Sequence, residues 1–287
     1  MYDRQSLPDF PSTLAPALSL LCWFFLFATS MRVVEMWRLH FIFAVAAGLA
    51  VRAGAAESPE QVHITLADTE DSVHVTWAQP HLDPSIGLAA KVVCWYGTSP
   101  GALDTTVPVK PYTYTDGGYN GTLFTTTFTK LPFSSTVYYR CGSPATGISP
   151  LYNMRTKPKT GTEETQRIAS FGDAGQIGLF HIMGPGKTFA GVADDVLNRD
   201  FQLIINVGDS GYADDYTYLS APWGNNSWAF DAYFKSMENF TTVVPYMSCP
   251  GNHEAQYNFS GYLNRFIHPI VRAAVVLRLL LWLVLMV

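Results

Sequence analysis

The 287-residue sequence is poor in charge and in cysteine, and it lacks an intact nucleotide-binding loop. Charged residues make up 14% of it, with 18 lysines and arginines against 23 aspartates and glutamates and a formal net charge of −5. No basic face is available to neutralise phosphates, which removes nucleic acid from the expected partners. Of the four cysteines, Cys22 lies in an apolar leader, so Cys94, Cys141 and Cys249 allow at most one intrachain bridge. Cys94 and Cys141 both end strand-like runs and are the candidates for it, with buried free thiols as the alternative; Cys249 reads as a buried strand residue. Gly184-Pro185-Gly186-Lys187-Thr188 imitates the tail of a P-loop, but His181 stands where the pattern needs glycine. No internal repeat or low-complexity tract is evident.

What the sequence does have is apolar residues, at 48%, and aromatics, at 14%, ample for a packed core. Two apolar segments crowd the start. The first, Leu14 to Thr29, is short for a bilayer span, which needs about 20 apolar residues. The second has the three parts of a secretory signal: basic Met36-Trp37-Arg38-Leu39-His40, an apolar core from Phe41 to Val51, and the small-x-small pattern Ala53-Gly54-Ala55. Residues 1–35 are therefore expected to be a gene-model extension and 36–55 a signal peptide, with a retained membrane anchor as the alternative. Sequons at Asn120, Asn225, Asn239 and Asn258 agree with export to the cell exterior or to a vacuolar or lysosomal compartment.

Periodicity divides the remainder. From Val62 to Cys141 short runs alternate with period two, punctuated by Pro80, Pro84, Pro100-Gly101, Gly117-Gly118 and Pro132. That spacing predicts an all-β sandwich over residues 57–157, with Trp77, Trp95 and Tyr138 in its core and His63 and His74 facing solvent. A polar linker, Lys157 to Thr165, follows. Over 166–266 the pattern becomes strand–helix–strand–helix–strand. The strands are Arg167–Phe171, Leu203–Val207 and Thr241–Ser248. The helix faces are Phe189, Val192, Ala193, Val196 and Leu197, then Phe230, Tyr233, Phe234 and Met237. This predicts a parallel βαβαβ core, so ligands are expected beyond the carboxyl ends of its strands.

Those ends read Gly172-Asp173-Ala174-Gly175, Gly208-Asp209-Ser210-Gly211-Tyr212 and Gly251-Asn252-His253-Glu254. Each is a glycine followed by an oxygen donor. Two carboxylates facing one point repel unless a cation lies between them. A phenol, with an ordinary pKa of about 10, joins a metal only as phenolate and calls for a strong Lewis acid. In this order the three blocks resemble the first three metal-binding blocks of the purple acid phosphatases, binuclear members of the metallophosphoesterases. The sandwich stretches "PEQVHITLADTEDSVHVTWA", "WYGTSPGAL" and "VYYRCGS" look like the fibronectin-III-like front domain of the larger members. The resemblance runs from about Pro59 to Phe266. It implies a fibronectin-III-like sandwich followed by an incomplete α/β metallophosphoesterase domain, and phosphate monoesters as substrates. By it, Asp173 and Tyr212 hold Fe(III), Asp209 bridges to a divalent Zn, Mn or Fe ion, and Asn252 binds that second ion. His253 donates a proton to the leaving alcohol or binds phosphate. Asp214, Asp215 and Tyr216 fall outside the ligand spacing and read as loop or helix-start residues.

The family pattern also contains Val-x-x-His and Gly-His-x-His blocks, and neither is present; after His253 the only histidine is His268. Residues 267–287 are apolar with Arg272 and Arg278 inside, a poor membrane span and read as an aberrant tail. With four of seven expected ligands, impaired hydrolysis is expected of this chain. The alternatives are an inactive exported binding module and a metallophosphoesterase acting on diesters or nucleotide pyrophosphates.

Overall fold

The computed structural model describes residues 58–175, 186–214 and 227–269. The N-terminal extension, the signal segment, Asn225, His181, Asp215, Tyr216 and the tail from residue 270 lie outside the described residues.

Nine strands form two antiparallel sheets. One holds β1 (Glu60–Leu66), β2 (Val73–Gln79), β6 (Thr122–Phe128) and β5 (Lys110–Tyr112), in that order. The other holds β4 (Thr105–Pro108), β3 (Val93–Gly97), β7 (Thr136–Ser143) and β8 (Gly147–Ile148), with β9 (Tyr152–Arg155) also paired to β7. Alternate residues meet between the sheets: Val62, Ile64, Val75, Trp77, Phe124 and Phe128 against Cys94, Tyr96, Val137, Tyr139, Cys141 and Met154. Each such side chain contributes about 1.5–3 kcal/mol by leaving water. Phe128 is wholly buried between Tyr96, stacked at 4.3 Å, and Tyr139, edge-on at 5.7 Å. Its truncation to alanine would open a void costing about 3–5 kcal/mol. Cys94 and Cys141 face each other across β3 and β7 and are disulfide-bonded. Cys249 is free, half-buried, and lies just beyond a strand rather than in one.

The second part has a three-stranded parallel sheet, β10 (Ile168–Phe171), β12 (Leu203–Asn206) and β14 (Tyr246–Ser248), in chain order. Helix α2 (Gly186–Asn198) makes the first crossover and α3 (Ser227–Thr241) the second; a short α1 (Pro84–Ala89) belongs to the sandwich. The stripe on α2 buries Phe189, Val192 and Val196, but Leu197 falls off it and is 50% exposed. Asp200, at φ 60°, turns the chain left-handed just beyond the helix end. On α3 the expected Phe230, Tyr233, Phe234 and Met237 are all buried, joined by Phe240. That helix runs to Thr241, so the third strand starts later than its β-branched sequence suggests; the hydroxyl of Thr241 bonds back to the Met237 carbonyl.

The polar face of β1 corrects one expectation. His63 is buried, its ring tilted at 34° against Phe234 with centroids 4.9 Å apart, and both ring nitrogens lie 2.9 Å from carbonyls, those of Gln61 and Arg265. The face that alternation marks as polar is covered by α3, not by water. Gln61 and Thr65 are buried on the same face. His74, too, is half-buried, on the Thr127 hydroxyl. Trp95 and Tyr138 are only half-buried, on the opposite faces of β3 and β7 from Cys94 and Tyr139.

Candidate metal centre

Two of the three parallel strands end in a left-handed backbone kink. Beyond β10 the chain turns at Asp173 with φ 53°, and beyond β12 at Asp209 with φ 56°. Aspartate is among the few residues that enter the left-handed region at modest cost. After the kinks the two segments pair again in parallel, β11 (Ala174–Gly175) with β13 (Ser210–Gly211). The Asp173 N–H donates to the Gly208 carbonyl at 3.2 Å, which ties the two kinks together. Beneath them Asn206 is fully buried, its amide nitrogen donating to Tyr246 Oη at 2.8 Å and its Oδ1 accepting from the Gly208 N–H at 3.1 Å.

The third turn follows β14 and contains a 3-10 turn, Asn252–Glu254. Two glycines are required for it to approach the second. A Cβ on Gly251 would lie 2.1 Å from Asp209 Oδ1. Gly208, at φ 109°, would bring one within 2.9 Å of the Gly251 nitrogen. Glu254, 2% exposed, locks the two turns. Its Oε2 accepts from Asp209 N–H at 2.9 Å and Gly251 N–H at 2.6 Å, and its Oε1 from Ser210 N–H at 2.6 Å. Burial pushes this carboxyl above its ordinary value and the Asp209 charge adds to the rise, while the three N–H groups oppose it.

The four expected oxygen donors are placed unequally. Tyr212 Oη donates to Asp173 Oδ1 at 3.0 Å. Asp209 Oδ1 accepts from the His253 N–H at 3.1 Å, which binds the second turn to the third. Asn252 is exposed and makes no side-chain hydrogen bond among the described residues. The His253 ring lies 4.0 Å from that of Tyr212, and its Nδ1 sits 2.9 Å from both carboxylate oxygens of Asp214. Asp214, read from the sequence as a loop residue, thus orients the imidazole. Its offset from Tyr212 gave no warning; only the fold brings residue 214 to residue 253. Glu254 was visible as the last letter of its block, but its bracing role requires knowing which amides point at it.

Among the described residues no three His, Cys, Asp or Glu side chains gather as a metal-holding group. The donor chemistry here is instead two carboxylates, a phenol and an amide. Two oxygens bound at right angles to one small ion, each about 2.0–2.1 Å away, lie about 2.9 Å apart. The Tyr212–Asp173 separation of 3.0 Å fits that spacing, with a proton holding the pair together.

Residues 59–156 match the family described as purple acid phosphatase, N-terminal domain. The chain is 29% identical over 221 residues to human (Homo sapiens) acid phosphatase type 7, covering 74% of this chain and 44% of that protein. It is 28% identical over 227 residues to an onion (Allium cepa) phosphoenolpyruvate phosphatase, covering 76% and 42% respectively. The chain thus spans less than half the length of these curated relatives. A solved structure of a purple acid phosphatase from yellow lupin (Lupinus luteus) seeds superposes with a TM-score of 0.61 at 21% identity, over 74% of this chain and 41% of that one. That last likeness speaks to the fold.

Proposed function

Since this chain belongs to the purple acid phosphatase family, we propose that its strand-end turns form part of a binuclear phosphomonoesterase centre. Asp173 and Tyr212 would hold Fe(III), Asp209 would bridge, and Asn252 would serve the divalent zinc, manganese or iron ion. When bound, the ions would supply Lewis-acid activation of water and neutralise charge on the phosphoryl oxygens. The chain's own residues do the rest. Asp214 holds one ring nitrogen of His253 and so orients the imidazole, which would hand a proton to the leaving oxygen of a phosphate ester or bind its phosphate. Glu254 keeps Asp209 and the third turn in register, a positioning role.

The donor set also bears on strength. Asn252 and a shared Asp209 are few ligands for a divalent ion, and the amide is neutral. We expect weak retention of that ion and impaired turnover. The exposure of Asn120, Asn239 and Asn258 supports the reading of an exported glycoprotein. No helix among the described residues is long and apolar enough to cross a membrane.

The observation that carries this reading is the Tyr212 hydroxyl on Asp173, because a phenolate ligand on ferric iron gives a visible charge-transfer band. Ferric loading of the purified chain should therefore colour it. Tyr212→Phe should abolish the colour while shifting stability by no more than about 1 kcal/mol. A colourless ferric complex of the unaltered chain would refute the assignment. Hydrolysis of p-nitrophenyl phosphate, measured alongside, reads the activity.

A further inference from the structure

Asn206 ends β12, fully buried, and it is tied to all three strand-end turns. Its Oδ1 accepts from the Gly208 N–H at 3.1 Å, and the Gly208 carbonyl in turn accepts from the Asp173 N–H of the first turn. Its own carbonyl accepts at 3.1 Å from the N–H of Cys249, where the chain enters the third turn. Its amide nitrogen donates within the second turn to Ser210 Oγ at 2.5 Å. The same nitrogen reaches Tyr246 Oη of β14 at 2.8 Å and Tyr233 Oη of α3 at 3.2 Å. The side chain therefore straddles Asp209, holding the residue before it and the residue after it.

The two tyrosine hydroxyls lie 2.9 Å apart, and Ser210, Tyr233 and Tyr246 are buried with the amide. A fold does not require such a knot, because apolar groups of the same shape can replace hydrogen-bonded partners at little cost in stability. What a fully bonded knot supplies is rigidity and a single arrangement. The turn above it needs both. Gly208 and Asp209 follow one another at φ 109° and 56°, a path that side-chain-bearing backbone does not favour unaided. Three residues ahead of Asp173 stands Ser170, exposed, and three ahead of Asn252 stands Cys249, whose thiol is a weak hydrogen-bonding group. Neither position carries an amide.

We propose that Asn206 is a positioning residue of the centre: its amide sets the path of Gly208-Asp209-Ser210 and so aims the Asp209 carboxylate at the ions it would bridge. This rests on the phosphatase reading above, and it adds a residue that would touch neither metal nor substrate.

Ferric loading of the full chain tests it, read as the wavelength of the visible band and not as its strength. A carboxylate turned away from the iron leaves the ion poorer in electrons, and charge transfer from the Tyr212 phenolate then needs less energy. Asn206→Leu, close in size but without donor or acceptor, should move the band to longer wavelength and weaken ferric binding about tenfold. Asn206→Asp keeps the acceptor for the Gly208 N–H and lets the three hydroxyls turn round as donors, so it should not move the band that way. Tyr246→Phe keeps the ring and frees the amide from β14 alone. It should move the band in the same direction by less, and it decides the matter if Asn206→Leu does not fold. A band at the original wavelength in the folded variants, however faint, overturns the positioning role and leaves the phosphatase reading intact, since lost stability lowers the amount loaded without changing its colour. A shift in Asn206→Asp as large as in Asn206→Leu also overturns it. A colourless unaltered chain overturns both.

Discussion

The turns after β10 and β12 have nearly the same sequence and nearly the same backbone, Gly-Asp with the aspartate left-handed. Their support differs sharply. Asp209 is gripped from three sides: its N–H by Glu254, its carboxylate by the His253 N–H, and its space by Gly251. Asp173 is exposed and is held by one backbone bond and the Tyr212 hydroxyl. One turn is therefore a fixed part of the protein interior, and the other depends on its partner phenol. The contrast suits the proposed roles: a ligand that would bridge two ions needs to be rigid, whereas one that would serve a single ion can be drawn into place by it.

The most severe way to break the contrast is Glu254→Ala. It strips the acceptor from three backbone N–H groups and should cost about 3–5 kcal/mol in denaturant unfolding. Amide exchange of Asp209, Ser210 and Gly251 should accelerate while Ala174 and Gly175 change little; equal acceleration in both turns would show them to be one unit. A slightly smaller effect comes from acid. Burial, aided by the Arg265 charge, holds His63 down to about 4 from an ordinary 6.5, against the pull of its two carbonyls. The unfolded chain takes up that proton first, so the contribution is whole above pH 6.5 and is lost as the pH falls towards 4. At full extent it amounts to about 3 kcal/mol. His63→Gln should flatten the acid limb of stability, leaving the share due to His268, also held down to about 4 by burial. A limb as steep as before would exclude His63. The smallest effect sharpens the comparison: Asp173→Asn should change stability by less than about 0.5 kcal/mol, yet remove the ferric colour.

Much of this was legible in the chain. Period two located most strands of the sandwich, the i, i+3, i+4 stripes located α2 and α3, and Gly-Asp, Gly-Asp, Gly-Asn marked where strands end. The errors share a cause. His63 and His74 alternate with core residues, and alternation says which side chains share a face without saying what covers it. Leu197 and the late start of β14 show the same limit on helix and strand boundaries.

The sequence by itself determined most of the elements and which oxygen-bearing side chains stand at the strand ends: local backbone preference and apolar spacing act between near neighbours, so they are written in short stretches. Tertiary structure alone decided that Asp214 reaches His253, that Glu254 braces Asp209, and that the sandwich's Tyr139 hydroxyl reaches the Thr242 carbonyl. Those contacts join residues 39, 45 and 103 positions apart. Such pairings depend on how whole layers pack, and no local pattern encodes them.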